Sequence, residues 1–313
     1  MKVLMNAGPW LPVPPHGYGG IENVVATLVP ELRRLGVHVV LATAAALGAG
    51  APPALHTLHW DLAKHPELYG TIDGGGRVRV NGVSAAQLAR APAALRALSV
   101  GHVHLATPLA EGADRRPAVV KGRHVVVLGR INAGKGQDLA ARLAHTAGFE
   151  LILAGPVGPY HRPEALAAAL ADPAAAQNPD VAFWRDRVAP HVDGDRVRWI
   201  GTVTGRDRDE LLSTARAALF PLQWEEPGGT AVVESLALGT PVIGIARGCL
   251  PELIEPDRTG LLTSDSEELG ELVVKAGTVD ERECRVEAAR RFTPAVMARS
   301  YLALYDRLRA GTV

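Results

Sequence analysis

The order apolar stretch, glycine-containing loop, helical pattern occurs at two places in the chain, and this feature constrains the fold more than any other. An apolar stretch, Lys2–Asn6, precedes a loop rich in glycine and proline and then apolar residues at helical spacing from Ile21 to Leu35. A second apolar stretch, His124–Leu128, again precedes a glycine-containing loop and a predicted helix at 138–147. Because strand–helix–strand units of this length join parallel strands, the sequence predicts an α/β fold with parallel sheets.

Two α/β series follow from these two starts. The first has a further strand at 37–41. The second has four further strands alternating with helices, at 151–154, 197–200, 217–221 and 242–245. The polar, proline-containing stretch 111–122 is the predicted link between the series. We therefore predict domains at 1–118 and 119–292, followed by a C-terminal helix within 293–313 that packs back on the first domain.

Charge and cysteine content limit the classes of binding partner and the cellular compartment that we expect. Lysine plus arginine total 33 and aspartate plus glutamate total 33, so no net field attracts nucleic acid or an anionic membrane. Any anionic ligand must then be bound by locally placed cations. Cys249 and Cys284 lie far apart, which argues against a disulfide framework or a thiolate metal site. We expect a cytoplasmic protein without signal peptide or integral membrane segment, and the arginine- and alanine-rich composition is typical of a high-GC bacterium.

Two glycine-containing loops are candidate anion sites. In the first, Gly19 and Gly20 precede a helix, where backbone amides and the positive helix end face a ligand. A tight turn without a ligand is the alternative. The second loop, 129–136, nearly matches a P-loop, but Gly136 replaces the hydroxyl that would hold magnesium, so a P-loop NTPase is disfavoured. Arg130 and Lys135 remain available for a diphosphate, the alternative being a solvated surface lysine.

A third stretch, 225–234, combines carboxylates with small residues at a predicted helix start. Glu226 precedes the helix and Glu234 lies two turns into it, where a carboxylate can accept hydrogen bonds from a diol. Gly228 and Gly229, directly before Thr230, permit close backbone approach to a sugar or phosphate. The alternative is that the glutamates before the helix only stabilise its dipole.

These stretches together resemble family four of the retaining glycosyltransferases, which have the two-domain GT-B fold. Glu226 and Glu234 match the E-x7-E signature of that family, and Arg130 and Lys135 match its donor-phosphate pair. The sequence Gly-Thr-Pro at 239–241 is a further similarity. The resemblance implies two Rossmann-like domains with the nucleotide site in the interdomain cleft.

The resemblance also implies roles for individual residues. The catalytic residues would be His59, Glu226, Arg130 and Lys135. The donor-binding residues would be Gly19, Gly20, Arg130, Lys135, Val203, Gly228, Gly229, Thr230 and Glu234. His59 matches the active-site histidine of the family in the Thr-x-His ending of a strand, Thr57 to His59, although a histidine satisfied at a strand end is the alternative reading.

The first predicted domain departs from the family because only residues 43–55 separate its second strand from the segment that carries His59. At least one strand–helix unit is missing there, in the domain expected to bind the acceptor. No metal site is expected, since His102 and His104 lack a third ligand at a credible spacing. The acidic pairs near residues 193 and 207 are assigned to turns.

The sequence therefore predicts an enzyme that transfers a sugar from a nucleoside-diphosphate sugar to an unknown acceptor hydroxyl. Retention of the anomeric configuration and the absence of a required metal or other cofactor are implied by the resemblance. Two alternatives stay open: a nucleotide-sugar epimerase on the same fold, and a non-catalytic nucleotide-sugar binding protein with a reduced first domain.

Overall fold

The computed structural model describes residues 1–6, 20–42, 53–64, 66–71 and 74–310. Within these ranges the chain forms eleven strands. They are β1 (Lys2–Asn6), β2 (His38–Ala42), β3 (Ala54–Thr57), β4 (Val78–Gly82), β5 (Ser99–His102), β6 (His124–Leu128), β7 (Glu150–Ala154), β8 (Val197–Trp199), β9 (Ala217–Phe220), β10 (Val242–Ile245) and β11 (Gly260–Thr263).

The same ranges contain thirteen α-helices. They are α1 (Gly20–Arg34), α2 (Pro66–Tyr69), α3 (Ala85–Ala89), α4 (Ala93–Ala97), α5 (Gln137–Ala147), α6 (Pro163–Ala169), α7 (Pro179–Phe183), α8 (Gly205–Thr214), α9 (Thr230–Ala237), α10 (Leu250–Leu253), α11 (Leu269–Lys275), α12 (Glu281–Arg291) and α13 (Pro294–Ala310). Within the described ranges, every helix is too short or too polar to cross a bilayer.

The chain folds as two compact units. The first unit comprises residues 1–112, 226–233 and 288–313, and the second comprises residues 113–225 and 234–287. The short strip 226–233 therefore belongs to the first unit although the second unit surrounds it in sequence. The domain limits expected from the sequence, at 118/119 and 292/293, stay predictions.

The second unit is built on one parallel sheet of six strands in the order β11-β10-β9-β6-β7-β8. Its central strands are apolar on both faces, as in Val125, Val126 and Val127 of β6, which are all buried. Such continuous apolar strands form because helices cover both faces of a parallel sheet. In chain order the sheet runs outward from β6 in both directions, which is the doubly wound order of a Rossmann-type fold.

The first unit contains two parallel sheets, β1-β2 and β3-β4-β5. Helix α1 packs against α13, and Leu28 and Leu32 share a hydrophobic core with Met297 and Tyr301. The Tyr301 hydroxyl also lies 3.1 Å from Thr57 Oγ1. The C-terminal helix therefore completes the first unit, and the predicted α/β fold with parallel sheets is confirmed in both units.

Candidate functional site

The order of strands in the second unit creates a natural binding position. Strands β6 and β9 are neighbours, yet the chain leaves them toward opposite halves of the sheet. In open α/β sheets, ligands bind beyond the carboxyl ends of the strands at such a switch point. The loop after β6, residues 129–136, and the loop that starts at Pro221 after β9 meet there, because the Gln223 amide donates to the Gly134 carbonyl (2.9 Å).

The loop after β6 continues alongside the end of β7. The Gly129 amide donates to the Ala154 carbonyl and the Ile131 amide to the Pro156 carbonyl, both at 2.9 Å. A Cβ atom at Gly155 would lie only 2.0 Å from the Gly129 carbonyl oxygen, so this position requires glycine. The two loops are therefore held edge to edge at the carboxyl end of the sheet.

A buried glutamine fixes the conformation of the same loop. Gln137, the first residue of α5, is fully buried. Its Nε2 donates to the Arg130 carbonyl (2.9 Å) and its Oε1 accepts from the Asn132 amide (3.3 Å). The Asn132 side chain in turn accepts from the Lys135 amide at 3.1 Å. The loop is thus held in one conformation by the protein itself.

Lys135 lies directly before the positive end of α5. A short 3₁₀ turn, Ala133–Lys135, leads into Gly136, whose φ is +72°. A Cβ at Gly136 would lie 2.0 Å from the Pro221 carbonyl oxygen, so a larger residue does not fit. The Lys135 ammonium lies 5.1 Å from the centre of the Trp224 ring. A lysine, a helix N-terminus and an aromatic ring therefore converge on one position suited to an anion.

Arg130, the other predicted phosphate ligand, is exposed on this loop. Asp180 on α7 lies near enough to feel its charge: burial raises the pKa of Asp180, and Arg130 opposes that rise. Asp180 was not predicted from the sequence, since nothing in the chain order relates α7 to the loop.

Glu234, on α9, is paired with an arginine that the sequence did not point to. Arg208 Nη1 lies 3.1 Å from Glu234 Oε1, and Arg208 Nη2 lies 2.7 Å from Asp209 Oδ1. Burial raises the pKa of Glu234, while Arg208 counteracts that rise. The arginine therefore holds the carboxylate in place and favours its ionised form, which is the form that accepts hydrogen bonds from a diol.

Val203 lies in the loop between β8 and α8, which is fixed at its base. The Gly155 amide donates to the Gly201 carbonyl (2.7 Å), and the Thr202 amide donates to the His161 carbonyl (2.8 Å). Half-buried Val203 follows directly. The loop thus lies at the same carboxyl edge of the sheet as the loop after β7.

The two glutamates before α9 have different environments. Glu225 Oε2 accepts from the Gly248 amide at 2.6 Å, so this side chain fixes the turn before α10. That bond gives Glu225 a structural role other than stabilising the α9 dipole. Glu226, half-buried, belongs to the first unit.

The strip that contains Glu226 is held closely in the first unit. The Ser84 hydroxyl donates to the Pro227 carbonyl at 2.6 Å. A Cβ at Gly228 would lie 2.7 Å from Leu105 Cδ1, and Gly229 has φ +63°. The positive φ favours glycine at 229, whereas a side chain at 228 would have to displace that of Leu105. Thr230 follows as the first residue of α9.

His59 lies two residues beyond β3 in the first unit and is half-buried. Burial and the neighbouring His56 lower the pKa of His59 to about 4. The ring is therefore neutral near pH 7 and acts as a hydrogen-bonding group rather than a cation. Of the two glycines predicted in the first loop, Gly20 is the first residue of α1, and Gly19 lies outside the described residues.

The second unit therefore has the doubly wound α/β fold, with a lysine and a helix N-terminus at its switch point, an arrangement suited to an anionic ligand. Residues 114–283, more than half of the chain, match the family described as Glycosyl transferases group 1. The chain belongs to this family, and its fold is the α/β fold of GT-B glycosyltransferases.

Individual relatives agree with the family assignment. D-inositol 3-phosphate glycosyltransferase from Mycobacteroides abscessus is 33% identical over 193 residues, which cover 58% of this chain and 39% of that protein. The chain thus spans about two fifths of this curated relative. The crystal structure of AviGT4, a glycosyltransferase involved in avilamycin A biosynthesis, is 26% identical with a TM-score of 0.66 and covers 99% of this chain and 98% of its own. Anabaena HepE (Alr3699) in complex with UDP shares the fold, with 18% identity, a TM-score of 0.60 and coverage of 81% and 72%.

Proposed function

We propose that this chain is a retaining glycosyltransferase that moves a hexose from a nucleoside-diphosphate sugar to an acceptor hydroxyl without a required metal. The observation that carries the proposal is the braced loop 129–136 at the switch point of the second unit. It presents Arg130, Lys135 and the N-terminus of α5 from a conformation fixed by Gln137. Such fixed positive groups suit the diphosphate of a nucleotide sugar.

In this proposal, the two cations act on the leaving group. Negative charge grows on the diphosphate as the bond from its oxygen to the anomeric carbon breaks. Arg130 and Lys135 stabilise that charge mainly in the transition state, so they accelerate the reaction rather than only tighten binding. They also provide the neutralisation that a divalent metal supplies in other enzymes.

The nucleotide would be held through its ribose by Glu234. An ionised carboxylate can accept hydrogen bonds from both ribose hydroxyls, as in Rossmann-type proteins. The ion pair with Arg208 (3.1 Å) fixes Glu234 in the second unit before a ligand arrives. Val203, at the same edge of the sheet, would contact the base.

Retention of configuration is supported by the sequence resemblance to the retaining family. The acceptor oxygen would attack the anomeric carbon on the face from which the diphosphate departs. The new carbon–oxygen bond forms as the old one breaks, and the acceptor proton passes to the departing phosphate oxygen. Neutral His59, Glu226 and backbone amides near Gly228 and Gly229 would orient the donor sugar.

Nucleotide binding is the first test. The complex of Anabaena HepE with UDP makes UDP the first ligand to try, with GDP, ADP and dTDP beside it. We expect one nucleotide to raise the Tm equally in Mg²⁺ and in EDTA, and we expect Lys135→Ala to abolish the shift. Lys275→Ala is the matched control, because Lys275 is an exposed lysine on α11 that faces Glu271. No shift with any nucleotide would contradict the proposal.

Product analysis separates transfer from the remaining alternatives. With the sugar of the nucleotide that the screen identifies and a panel of hydroxyl acceptors including inositol 3-phosphate, NMR should show free nucleoside diphosphate and a new glycoside with the donor's anomeric configuration. An inverted product would contradict retention. Conversion of the donor to an epimer without release of the nucleotide would indicate an epimerase, and binding without any turnover would indicate a binding protein.

A further inference from the structure

Gln87, which has no role in the function proposed above, lies at the centre of a hydrogen-bond cluster around His59. It is on α3 in the first unit and is 3% exposed. Its Nε2 donates to the Leu58 carbonyl (3.0 Å) and to the Trp60 carbonyl (2.7 Å). Its Oε1 accepts from the Val83 amide at 2.8 Å. One side-chain amide therefore binds the backbone on both sides of His59.

These bonds matter because His59 lies beyond the ladder of the β3–β4 pair. β3 ends at Thr57, and the Leu58 amide makes one further bond, to the Asn81 carbonyl at 2.8 Å. Beyond the strand, the Gln87 side chain provides the backbone hydrogen bonds that a neighbouring strand would provide within a sheet. With both flanking carbonyls fixed by one planar amide, the backbone that carries His59 has little freedom to turn.

The same turn of α3 also binds the strip that contains Glu226. The Ser84 hydroxyl caps α3 by accepting from the Gln87 amide (3.1 Å) and donates to the Pro227 carbonyl (2.6 Å). Ser84 is fully buried. Two separate segments of the first unit, 58–60 and 226–229, are thus fixed by a common element of one helical turn.

We propose that Gln87 is a positioning residue for the transfer reaction. Its side chain fixes the backbone on both sides of His59, and its own backbone amide is bonded to Ser84, which in turn fixes the segment 226–229 that contains Glu226. This inference rests on the function proposed above, because that proposal is what assigns His59 and Glu226 to the donor sugar. The Gln87 side chain is buried, and its amide nitrogen and oxygen are both engaged by backbone groups, so its effect passes through His59.

The variants Gln87→Met and Gln87→Glu test this role. Methionine keeps the length of the side chain but removes all three bonds, whereas glutamate keeps an acceptor for the Val83 amide. We expect kcat to fall by about tenfold to 10²-fold, since small displacements of catalytic groups are costly. The Kd for UDP should stay within about twofold, because Arg130, Lys135 and Glu234 belong to the other unit. The proposal would be overturned if kcat stayed at the wild-type value, or if the Kd for UDP rose by as large a factor as kcat fell.

A double-mutant cycle distinguishes positioning from loss of stability. If Gln87 acts through His59, Gln87→Met should lower kcat by less than about twofold when His59 is already alanine. The same loss in both backgrounds would show that the two residues act independently and would overturn the inference. If Gln87→Met fails to fold, Gln87→Glu carries the same cycle.

Thr57→Val is the matched control for hydrogen bonds lost near the end of β3. Its hydroxyl lies 2.9 Å from Asn81 Oδ1 and 3.1 Å from the Tyr301 hydroxyl, and neither contact involves the residues that flank His59. We expect a lower Tm with kcat within about twofold of the wild type. A loss of kcat as large as that of the Gln87 variants would mean that any weakening of this region suffices, which would overturn the specific role of Gln87.

An NMR measurement tests the positioning without relying on activity. With ¹⁵N-labelled histidine, and with the His59 signals assigned from the His59→Ala spectrum, the ring resonances should shift or broaden in Gln87→Met. Identical resonances would overturn the inference. If the wild type binds no nucleotide, the proposed function fails, yet this spectrum still decides whether Gln87 positions His59.

Discussion

Two buried glutamines, one in each unit, each fix a backbone segment of the candidate site, but one segment is near its glutamine in sequence and the other is distant. Gln137 binds the Arg130 carbonyl and the Asn132 amide, which are only seven and five residues away in sequence. Gln87 binds the Leu58 and Trp60 carbonyls, 29 and 27 residues away. The loop of the second unit is thus organised by its own motif, whereas the His59 segment depends on a distant part of the chain.

This difference has a physical consequence for each segment. The side-chain hydrogen bonds that brace the loop 129–136 come from Asn132 within it and from Gln137, the first residue of α5, so this part of its conformation is encoded locally. The segment 58–60 acquires its bonds only after β4 and α3 are in place, because Asn81 and Gln87 provide them. We therefore expect perturbations of the two glutamines to affect different steps: diphosphate binding for Gln137 and sugar transfer for Gln87.

The largest effect is expected at the lysine of the locally organised loop. Lys135→Ala should lower kcat by about 10²-fold, by analogy with the loss of one oxyanion donor. The measurement is the steady-state rate with the nucleotide sugar identified by the binding screen, with Lys275→Ala measured in parallel. Activity within tenfold of the wild type would remove Lys135 from the leaving-group site.

A smaller effect, confined to binding, is expected at Glu234. Glu234→Ala should raise the Kd for the nucleoside diphosphate by about 30-fold, because a charge-assisted hydrogen bond contributes roughly 1.5–3 kcal/mol. Isothermal titration measures this change directly. Glu210→Ala is a suitable control, since Glu210 is an exposed carboxylate on α8. An unchanged Kd would show that Glu234 does not bind the ribose.

Gln137→Met tests whether the two glutamines act on different steps of the reaction. Without its brace, the loop must lose freedom when the diphosphate binds, so the Kd should rise by about tenfold. Gln177→Met, at an exposed glutamine, should leave the Kd unchanged. If Gln137→Met changed kcat alone and Gln87→Met changed Kd alone, the assignment of the two glutamines would be reversed.

The last prediction concerns the pH dependence of stability rather than activity or binding. The pKa of His59 in the folded protein is about 4, below the ordinary value of 6.5, so the unfolded chain binds the proton first on acidification. The stability that neutral His59 contributes is fully present above pH 6.5 and is lost as the pH falls toward 4. Urea unfolding of wild type and His59→Asn between pH 4 and 8 should show a shallower pH dependence in the variant. Identical slopes would contradict a lowered pKa.

Local sequence was enough to predict the parts that are locally encoded. The bounds of β1, β6 and β10 agree with the sequence prediction, as do those of α5 to within a residue at each end, and α13 lies within the predicted range 293–313. Strands β4, β5 and β11 were not predicted, because polar residues or glycine, such as Arg79 and Gly101, interrupt their apolar pattern. Such strands form because neighbouring strands pair with them, which no local pattern reveals.

The same limit applies to the candidate site. Arg130 and Lys135 were predicted at the diphosphate from the near-P-loop motif and the family resemblance, and their roles stay predictions. Arg208 beside Glu234, and Gln87 beside His59, were not found, because each is 26 or more residues from the backbone or side chain that it fixes. Only the topology of the sheets brings these partners together.

The contact at Gly136 restricts how this loop can evolve. A P-loop carries a hydroxyl residue at this position to hold magnesium. Here a side chain at 136 would meet the Pro221 carbonyl oxygen at 2.0 Å from its Cβ, on a backbone with φ +72°. No single substitution can therefore convert this loop into a magnesium-dependent P-loop, because the loop after β9 would have to move first. The two loops, although nearly identical in sequence, therefore differ in a backbone geometry that one substitution cannot change.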